Sequence, residues 1–243
     1  MKIALISDIH GNLTALNAVM QDIRQQKVDK IICLGDVATI GPQPREVLIK
    51  LRELKCVCIL GNHEKAILDS DSALDFQIAP PLIPALHWCL EKLQDEDLGF
   101  LSDFKNSYEC KLEREFTLLC YHGSPRSTTD VILSTTPAAE CSRMLGDSNN
   151  ALLAGGHTHI QMMRKHESSV LVNPGSVGGA FPRVFEKGET PFLQPWAEYA
   201  IVNYGNKNLD IDMRQIRFDT MTLKDIVAKI DIPIKNWWLQ QYE

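Results

Sequence analysis

The segment Ile6-Ser7-Asp8-Ile9-His10-Gly11-Asn12 joins a short apolar run to residues that carry chemistry. The run, Lys2–Ser7, is typical of a buried strand. The same order, an apolar run followed by an acid, amide or imidazole, returns four more times. The five motifs are Asp8-Ile9-His10, Gly35-Asp36, Gly61-Asn62-His63-Glu64, His122-Gly123 and Gly156-His157-Thr158-His159. Because sites assemble at the carboxyl ends of strands in open α/β sheets, we predict that these motifs form one site.

Strands and helices alternate around the first three motifs. Strands are predicted at Lys2–Ser7, Lys30–Leu34 and Cys56–Leu60. A helix capped by Asn12 or Thr14 follows the first strand, and a helix from Pro44 through Leu54 follows the second. This alternation predicts parallel strands joined by right-handed crossovers.

The second half of the chain is richer in strands. Residues Asp69 to Pro84 are irregular, and Phe181 to Pro195 form a proline-rich loop. We find no linker, and we predict one domain over residues 1–243. The predicted strands are Phe116–Tyr121, Ala151–Ala154, Gln161–Lys165, Val170–Val172, Tyr199–Tyr204 and Leu209–Ile216, with helices marked by Leu86, Leu90 and Leu93 and near Pro137–Leu145 and Leu223–Ile230.

Composition limits the class of protein. The chain has 243 residues, 25 Lys and Arg against 31 Asp and Glu, and a net charge of −6. This balance disfavours nucleic acid as a partner. Seven cysteines without a C-x-x-C pair indicate reduced thiols and a cytoplasmic location. No run of eighteen apolar residues occurs, so we expect no membrane partner.

The motifs differ in how easily chance produces them. Random order gives about 0.5 of an Asp-x-His pair in this composition, so Asp8-Ile9-His10 alone carries little information. Gly61-Asn62-His63-Glu64 is expected only about 0.001 times. Five of the seven histidines also lie within the motifs. The set as a whole therefore indicates a functional site.

The residue types indicate a metal centre. Seven oxygen and nitrogen donors without a thiolate are too many for one closed tetrahedral zinc site and suit two open sites that share a carboxylate. Two such ions serve in-line displacement at phosphorus. We expect two divalent metal ions, Mn²⁺ first, with Fe, Zn²⁺, Ni²⁺ and Co²⁺ left open. The candidate ligands are Asp8, His10, Asp36, Asn62, His122, His157 and His159.

In this order the five motifs resemble those of the calcineurin-like metallophosphoesterases. The resemblance covers Met1 to about Gly178 and includes Asn173-Pro174-Gly175-Ser176. Gly41-Pro42-Gln43-Pro44 and His122-Gly123-Ser124-Pro125-Arg126 resemble the small bacterial and archaeal phosphoesterases in particular. The resemblance implies an α/β fold, a four-layer αββα sandwich of two mixed sheets flanked by helices.

The resemblance also implies roles at matching positions. Asp8, His10, Asp36 and His159 would hold one metal, and Asp36, Asn62, His122 and His157 would hold the other. A hydroxide between the metals would attack phosphorus. His63 is the candidate catalytic residue, which would assist the leaving group.

Departures from the Ser/Thr protein phosphatase branch are informative. Thr39 replaces the carboxylate that would orient His63, and Ile40 and Leu60 replace two phosphate-clamping arginines. A protein phosphatase is therefore disfavoured. Arg126 is a candidate replacement for substrate binding, and Arg183 is a weaker one.

These residues predict a hydrolase of small phosphodiesters or phosphomonoesters, with nucleotides among its expected substrates. A dinucleoside polyphosphate hydrolase is one alternative. A non-catalytic scaffold is another, but retention of all seven ligands and His63 argues against it. Whether the chain forms a homo-oligomer is left open.

Overall fold

Two five-stranded mixed sheets form the centre of this computed structural model, which describes residues 1–113, 116–148, 150–186 and 188–242. The strands are β1 (Lys2–Ile6), β2 (Lys30–Cys33), β3 (Val57–Cys58), β4 (Tyr108–Glu113), β5 (Phe116–Cys120), β6 (Leu152–Ala154), β7 (Met162–His166), β8 (Ser169–Asn173), β9 (Trp196–Gly205) and β10 (Asn208–Arg217). The first sheet has the order β10-β9-β1-β2-β3, and the second has the order β4-β5-β6-β8-β7.

Helices cover the outer faces of both sheets. They are α1 (Leu13–Gln26), α2 (Pro44–Leu54), α3 (Asn62–Leu68), α4 (Ile83–Lys92), α5 (Asp95–Ser102), α6 (Ala138–Leu145), α7 (Thr220–Lys229) and α8 (Lys235–Leu239). Helices α1 and α2 pack on the first sheet, and α6 packs on the second. The predicted αββα sandwich is therefore confirmed.

Strand β1 shows how the layers are built. Successive side chains of a strand point to opposite faces. Ile3 and Leu5 accordingly pack between the sheets, whereas Ala4 and Ile6 pack with α1. All four side chains are fully buried, so β1 contributes to two hydrophobic cores at once.

The predicted parallel arrangement of the first three strands is confirmed. Strand β2 pairs in parallel with both β1 and β3. The side chain of Asn12 accepts a hydrogen bond from the backbone N–H of Ala15 and caps α1, as predicted. The predicted strand Cys56–Leu60 is shorter in the structure, where β3 covers only Val57–Cys58 and Ile59 forms an isolated bridge to Lys105.

The predicted strands and helices did not include β4, α3, α5 or α8. Strand β4 alternates exposed and buried residues at a sheet edge, with Glu109, Lys111 and Glu113 outward. Helix α5 opens with three acidic residues, so its apolar face is short. Within the described residues, no helix has the length and apolar character needed to cross a bilayer.

Candidate metal centre

The five sequence motifs meet at one end of the sandwich. Asp8 and Asp36 follow β1 and β2 of the first sheet, and Asn62 opens α3 after β3. His122 follows β5 and His157 follows β6, both in the second sheet. The carboxyl ends of these strands therefore bring both sheets to a common site, as the spacing of the motifs predicts.

The backbone is unusual at the motif residues. Five candidate ligands adopt the left-handed conformation, with φ of 53° at Asp8, 46° at His10, 55° at Asp36, 69° at His157 and 60° at His159. Non-glycine residues rarely adopt this conformation, and strained backbone clusters at functional sites. Hydrogen bonds fix these turns, because the N–H of Asp8 donates to the carbonyl of Gly35 and that of His10 to the carbonyl of Asp36.

Asp8, His10 and His159 form a first cluster of possible metal ligands. Nε2 of His159 lies 3.0 Å from Nε2 of His10 and 3.4 Å from Oδ1 of Asp8. Asp8 is fully buried, and its Oδ1 atom has no hydrogen-bond partner among the described residues. A cation between these donors would satisfy that oxygen, so the cluster fits a metal ion.

Asp36, His122 and His157 form a second cluster. Nε2 of His122 lies 3.2 Å from Oδ2 of Asp36 and 3.2 Å from Oδ1 of Asn62. The rings of His122 and His157 are 5.1 Å apart. This second set of oxygen and nitrogen donors also suits a divalent cation.

Asp36 lies between the two clusters. Its Oδ2 atom is 3.2 Å from Nε2 of His122 and 4.0 Å from Nε2 of His10. Its Oδ1 atom accepts a hydrogen bond from the backbone N–H of His63. The carboxylate is therefore held in place and is near donors of both clusters.

Backbone carbonyls orient two of the imidazoles. Nδ1 of His122 lies 2.7 Å from the carbonyl oxygen of Leu34, and Nδ1 of His159 lies 2.7 Å from that of Gly179. Such contacts require a proton on Nδ1 and direct Nε2 into the site. Metal-binding histidines are commonly held in this way.

The acids and imidazoles of the site strongly shift each other's pKa values. Burial opposes ionisation of Asp8, but the charge of the nearby His159 imidazole lowers the pKa of Asp8 to about 2. Burial likewise opposes protonation of His122, but the Asp36 carboxylate raises its pKa to about 10. Burial lowers the pKa of His157 to about 4. Such opposed shifts are typical of functional sites.

His63 adjoins both clusters. It is 8% exposed, and its ring meets that of His10 edge to face with centroids 4.9 Å apart. Its nitrogen can join the donors of His10 and Asp36 in a third group. Nδ1 of His63 lies 2.5 Å from Oγ1 of Thr39. In the sequence, Thr39 stands out only as a replacement for a carboxylate, and no pattern there indicates this contact.

Glu64 is a second residue whose role the sequence did not indicate. Its buried carboxylate accepts hydrogen bonds from the backbone N–H groups of Asp36, Val37 and Gly61. Burial and the charge of Asp36 raise the pKa of Glu64 to about 7. Glu64 thus ties the loop after β2 to the start of α3. The signal available in the sequence was that Glu64 belongs to Gly61-Asn62-His63-Glu64, a motif that chance seldom produces.

The two candidate arginines lie in different surroundings. Arg126 is exposed, and its guanidinium packs against Gly146. It lines a surface cavity of about 460 Å³ with Glu109 and Asp147, and none of the seven candidate ligands is in that lining as described. Arg183 forms an ion pair with Glu189 within its own loop.

Residues 1–190 match the calcineurin-like phosphoesterase superfamily domain. The chain therefore belongs to the calcineurin-like phosphoesterase superfamily. The enzyme class predicted from the sequence, a metal-dependent phosphoric ester hydrolase, is confirmed by this membership.

Relatives extend over almost the whole chain. The uncharacterized protein MJ0912 of Methanocaldococcus jannaschii is 28% identical, covering 95% of this chain and 93% of its own. The crystal structure of a metallophosphoesterase from Sphaerobacter thermophilus is 24% identical with a TM-score of 0.76, covering 99% of this chain and 98% of its own. The crystal structure of the hypothetical protein PH1004 from Pyrococcus horikoshii OT3 is 22% identical with a TM-score of 0.81, covering 98% of this chain and 96% of its own. The two structures share the fold.

Proposed function

We propose that this protein hydrolyses small phosphodiesters or phosphomonoesters, nucleotides among them, at a centre that holds two divalent cations. The position of Asp36 carries the proposal. Its carboxylate lies near imidazole nitrogens of both clusters, as a ligand shared by two cations must. Mn²⁺ is our first candidate, because the donors are oxygen and imidazole nitrogen without thiolate.

The chain's own residues divide between the two sites in this proposal. Asp8, His10, Asp36 and His159 hold one cation. Asp36, Asn62, His122 and His157 hold the other. When bound, the cations supply the nucleophile and neutralise charge that develops on the phosphoryl oxygens.

His63 acts on the leaving group in this account. Its ring lies beside His10 and within reach of the Asp36 carboxylate, at the edge of both clusters. Burial lowers the pKa of His63, so the ring is neutral near neutral pH. A neutral imidazole that carries hydrogen on Nε2 can donate a hydrogen bond to the departing oxygen and so assist its departure.

Arg126 is proposed to contact the substrate beyond the metals. The surface cavity that it lines has room for part of a substrate. Arg126→Ala should then raise KM with little effect on kcat, because the lost contact binds substrate and transition state alike. Unchanged KM for all substrates tested would remove Arg126 from the account.

Hydrolysis of chromogenic esters tests the proposed function. Chelated protein is refilled with Mn²⁺, Ni²⁺, Co²⁺, Zn²⁺ or Mg²⁺ and assayed with bis(p-nitrophenyl) phosphate and p-nitrophenyl phosphate. We expect metal-dependent turnover that Asp36→Ala abolishes. The ratio of diester to monoester turnover then selects the natural substrates to screen. Absence of turnover with every metal and both esters would contradict the proposal.

A further inference from the structure

Thr39 and His63 share a hydrogen bond in which either group could be the donor. Oγ1 of Thr39 lies 2.5 Å from Nδ1 of His63. Thr39 is 1% exposed and lies in the loop after β2, three residues beyond Asp36. A hydroxyl can either donate or accept in such a contact, whereas a carboxylate can only accept.

The surroundings of Thr39 determine which group donates. Within the part of the chain that the structure describes, Oγ1 of Thr39 has no hydrogen-bond partner other than His63. If Nδ1–H of His63 donated to this oxygen, the buried hydroxyl hydrogen would lack an acceptor. A buried donor without a partner costs free energy. The satisfied arrangement has the Thr39 hydroxyl donating to an unprotonated Nδ1.

We propose that Thr39 is a positioning residue that holds His63 in the neutral tautomer with hydrogen on Nε2. The hydrogen of a neutral imidazole resides on one nitrogen, so occupation of the Nδ1 lone pair places it on Nε2. This inference rests on the proposed function only where it assigns that hydrogen to the leaving oxygen. The tautomer itself can be measured without turnover.

A hydroxyl and a carboxylate facing Nδ1 differ in the protonation state from which Nε2 of His63 can donate. A carboxylate facing Nδ1 would accept Nδ1–H, and Nε2 could then donate only from an imidazolium. With Thr39, the ring donates from its neutral form. Nε2–H of the neutral ring donates a hydrogen bond to the departing oxygen as the P–O bond breaks, which stabilises the negative charge that develops there. The departing oxygen takes its proton from water, so the ring of His63 stays neutral.

Nitrogen NMR of histidine-labelled protein measures the tautomer directly. We would record two-bond ¹H–¹⁵N correlations on Zn²⁺-loaded and metal-free protein and assign His63 by its loss in His63→Asn. We expect unprotonated Nδ1 and protonated Nε2 in the wild type. In Thr39→Val, which keeps the shape but lacks the hydroxyl, Nδ1 faces neither a donor nor an acceptor, so the fraction of rings that carry hydrogen on Nδ1 should rise. Protonated Nδ1 in the wild type would overturn the proposal, and so would an unchanged tautomer in Thr39→Val.

Leaving-group dependence tests the assignment to the reaction. A hydrogen bond to the departing oxygen matters more for a basic leaving group, so Thr39→Val should lower kcat about 100-fold for a phenyl ester and less than about tenfold for the matching p-nitrophenyl ester. KM and metal content should not change. Thr39→Ser should restore both the tautomer and the rate. An equal fall in kcat for both esters would show that Thr39 does not act through the hydrogen on Nε2 of His63.

Two further comparisons keep the test decisive. Thr128→Val replaces another buried threonine, whose hydroxyl forms no hydrogen bond with either cluster in the described residues, and it should leave the tautomer unchanged. If Thr39→Val fails to fold, the wild-type and Thr39→Ser spectra still decide the tautomer. If the wild type hydrolyses neither ester but shows protonated Nε2, the proposed function fails and the tautomer assignment stands.

Discussion

Oδ2 of Asp36 lies 3.2 Å from Nε2 of His122, although the two residues come from different sheets. Asp36 follows β2 and His122 follows β5. The contact joins the two halves of the sandwich at the candidate site. It also places a carboxylate and an imidazole where a proton or a cation must compensate the negative charge.

Metal loading should release protons. The carboxylate of Asp36 raises the pKa of His122 to about 10, so the metal-free protein holds a proton there at pH 7. A cation must displace that proton, and apparent affinity should rise with pH toward 10. Calorimetric titration in two buffers of different ionisation enthalpy measures the release. Binding without proton release would contradict the assignment of His122.

The same shift predicts how the stability of metal-free protein depends on pH. The folded-state pKa of His122 lies above its ordinary value of 6.5. Its contribution is fully present below pH 6.5 and is lost as pH rises toward about 10. Urea unfolding between pH 6 and 10 in the presence of chelator should show a fall in stability. The part of the fall that His122 causes should disappear in His122→Gln, whereas buried thiols such as Cys89 and Cys120, whose pKa burial raises, still lower stability at the alkaline end.

Asp36→Asn should show whether the proposed bridging side chain needs its negative charge or only its shape. The amide keeps the size of the side chain but is a much weaker bridging ligand. We expect loss of at least one of two bound ions per chain and a fall in turnover of at least about 100-fold, more than the loss of a residue that only orients a metal ligand causes. Metal analysis and steady-state kinetics measure both effects.

Asp22→Asn is the matched control for this change. Asp22 bonds to Tyr199 and Arg214, away from the site. Two bound ions and near-normal turnover in Asp36→Asn would exclude a bridging role.

Glu64→Gln should destabilise the protein. Three backbone N–H groups converge on this carboxylate, and the amide NH₂ would face at least one of them. An unsatisfied buried donor costs about 1–3 kcal/mol. Urea denaturation measures the loss, with Glu53→Gln on the exposed face of α2 as control. Equal stability of the two variants would show that the three contacts are dispensable.

Gly156→Ala should distort the first cluster. The added Cβ would lie 2.0 Å from Oγ of Ser7 and 2.8 Å from Oδ2 of Asp8, so one of these groups must move. We expect a loss of about 1–3 kcal/mol in stability and weaker metal binding. Gly99→Ala in α5, where a Cβ meets nothing within 4 Å, should instead stabilise by up to about 1 kcal/mol. Thermal unfolding and metal titration compare the two.

The sequence predicted the elements that have strong patterns. Strand β1 belongs to a continuous apolar run that ends before Asp8. Helix α2 shows helical spacing of apolar residues and begins at Pro44. Strand β4 was missed because its outward residues are charged. The convergence of the motifs was predictable because strand ends share an edge.

Two features of the site depend on folding across the chain. No local pattern indicates that Glu64 accepts from the loop after β2, or that the hydroxyl of Thr39 meets Nδ1 of His63. Both contacts bring together separate loops whose relative position follows from sheet order. The surroundings of Arg126 likewise depend on how Gly146 packs beside it.

Anomalous diffraction from Mn²⁺-loaded crystals would show whether two cations bind on either side of Asp36. We expect two peaks about 3.5–4 Å apart, one on each side of the Asp36 carboxylate. Asp8, His10 and His159 should surround one peak, and Asn62, His122 and His157 the other. A single peak that Asp36 does not contact, or ions bound away from both clusters, would contradict the account.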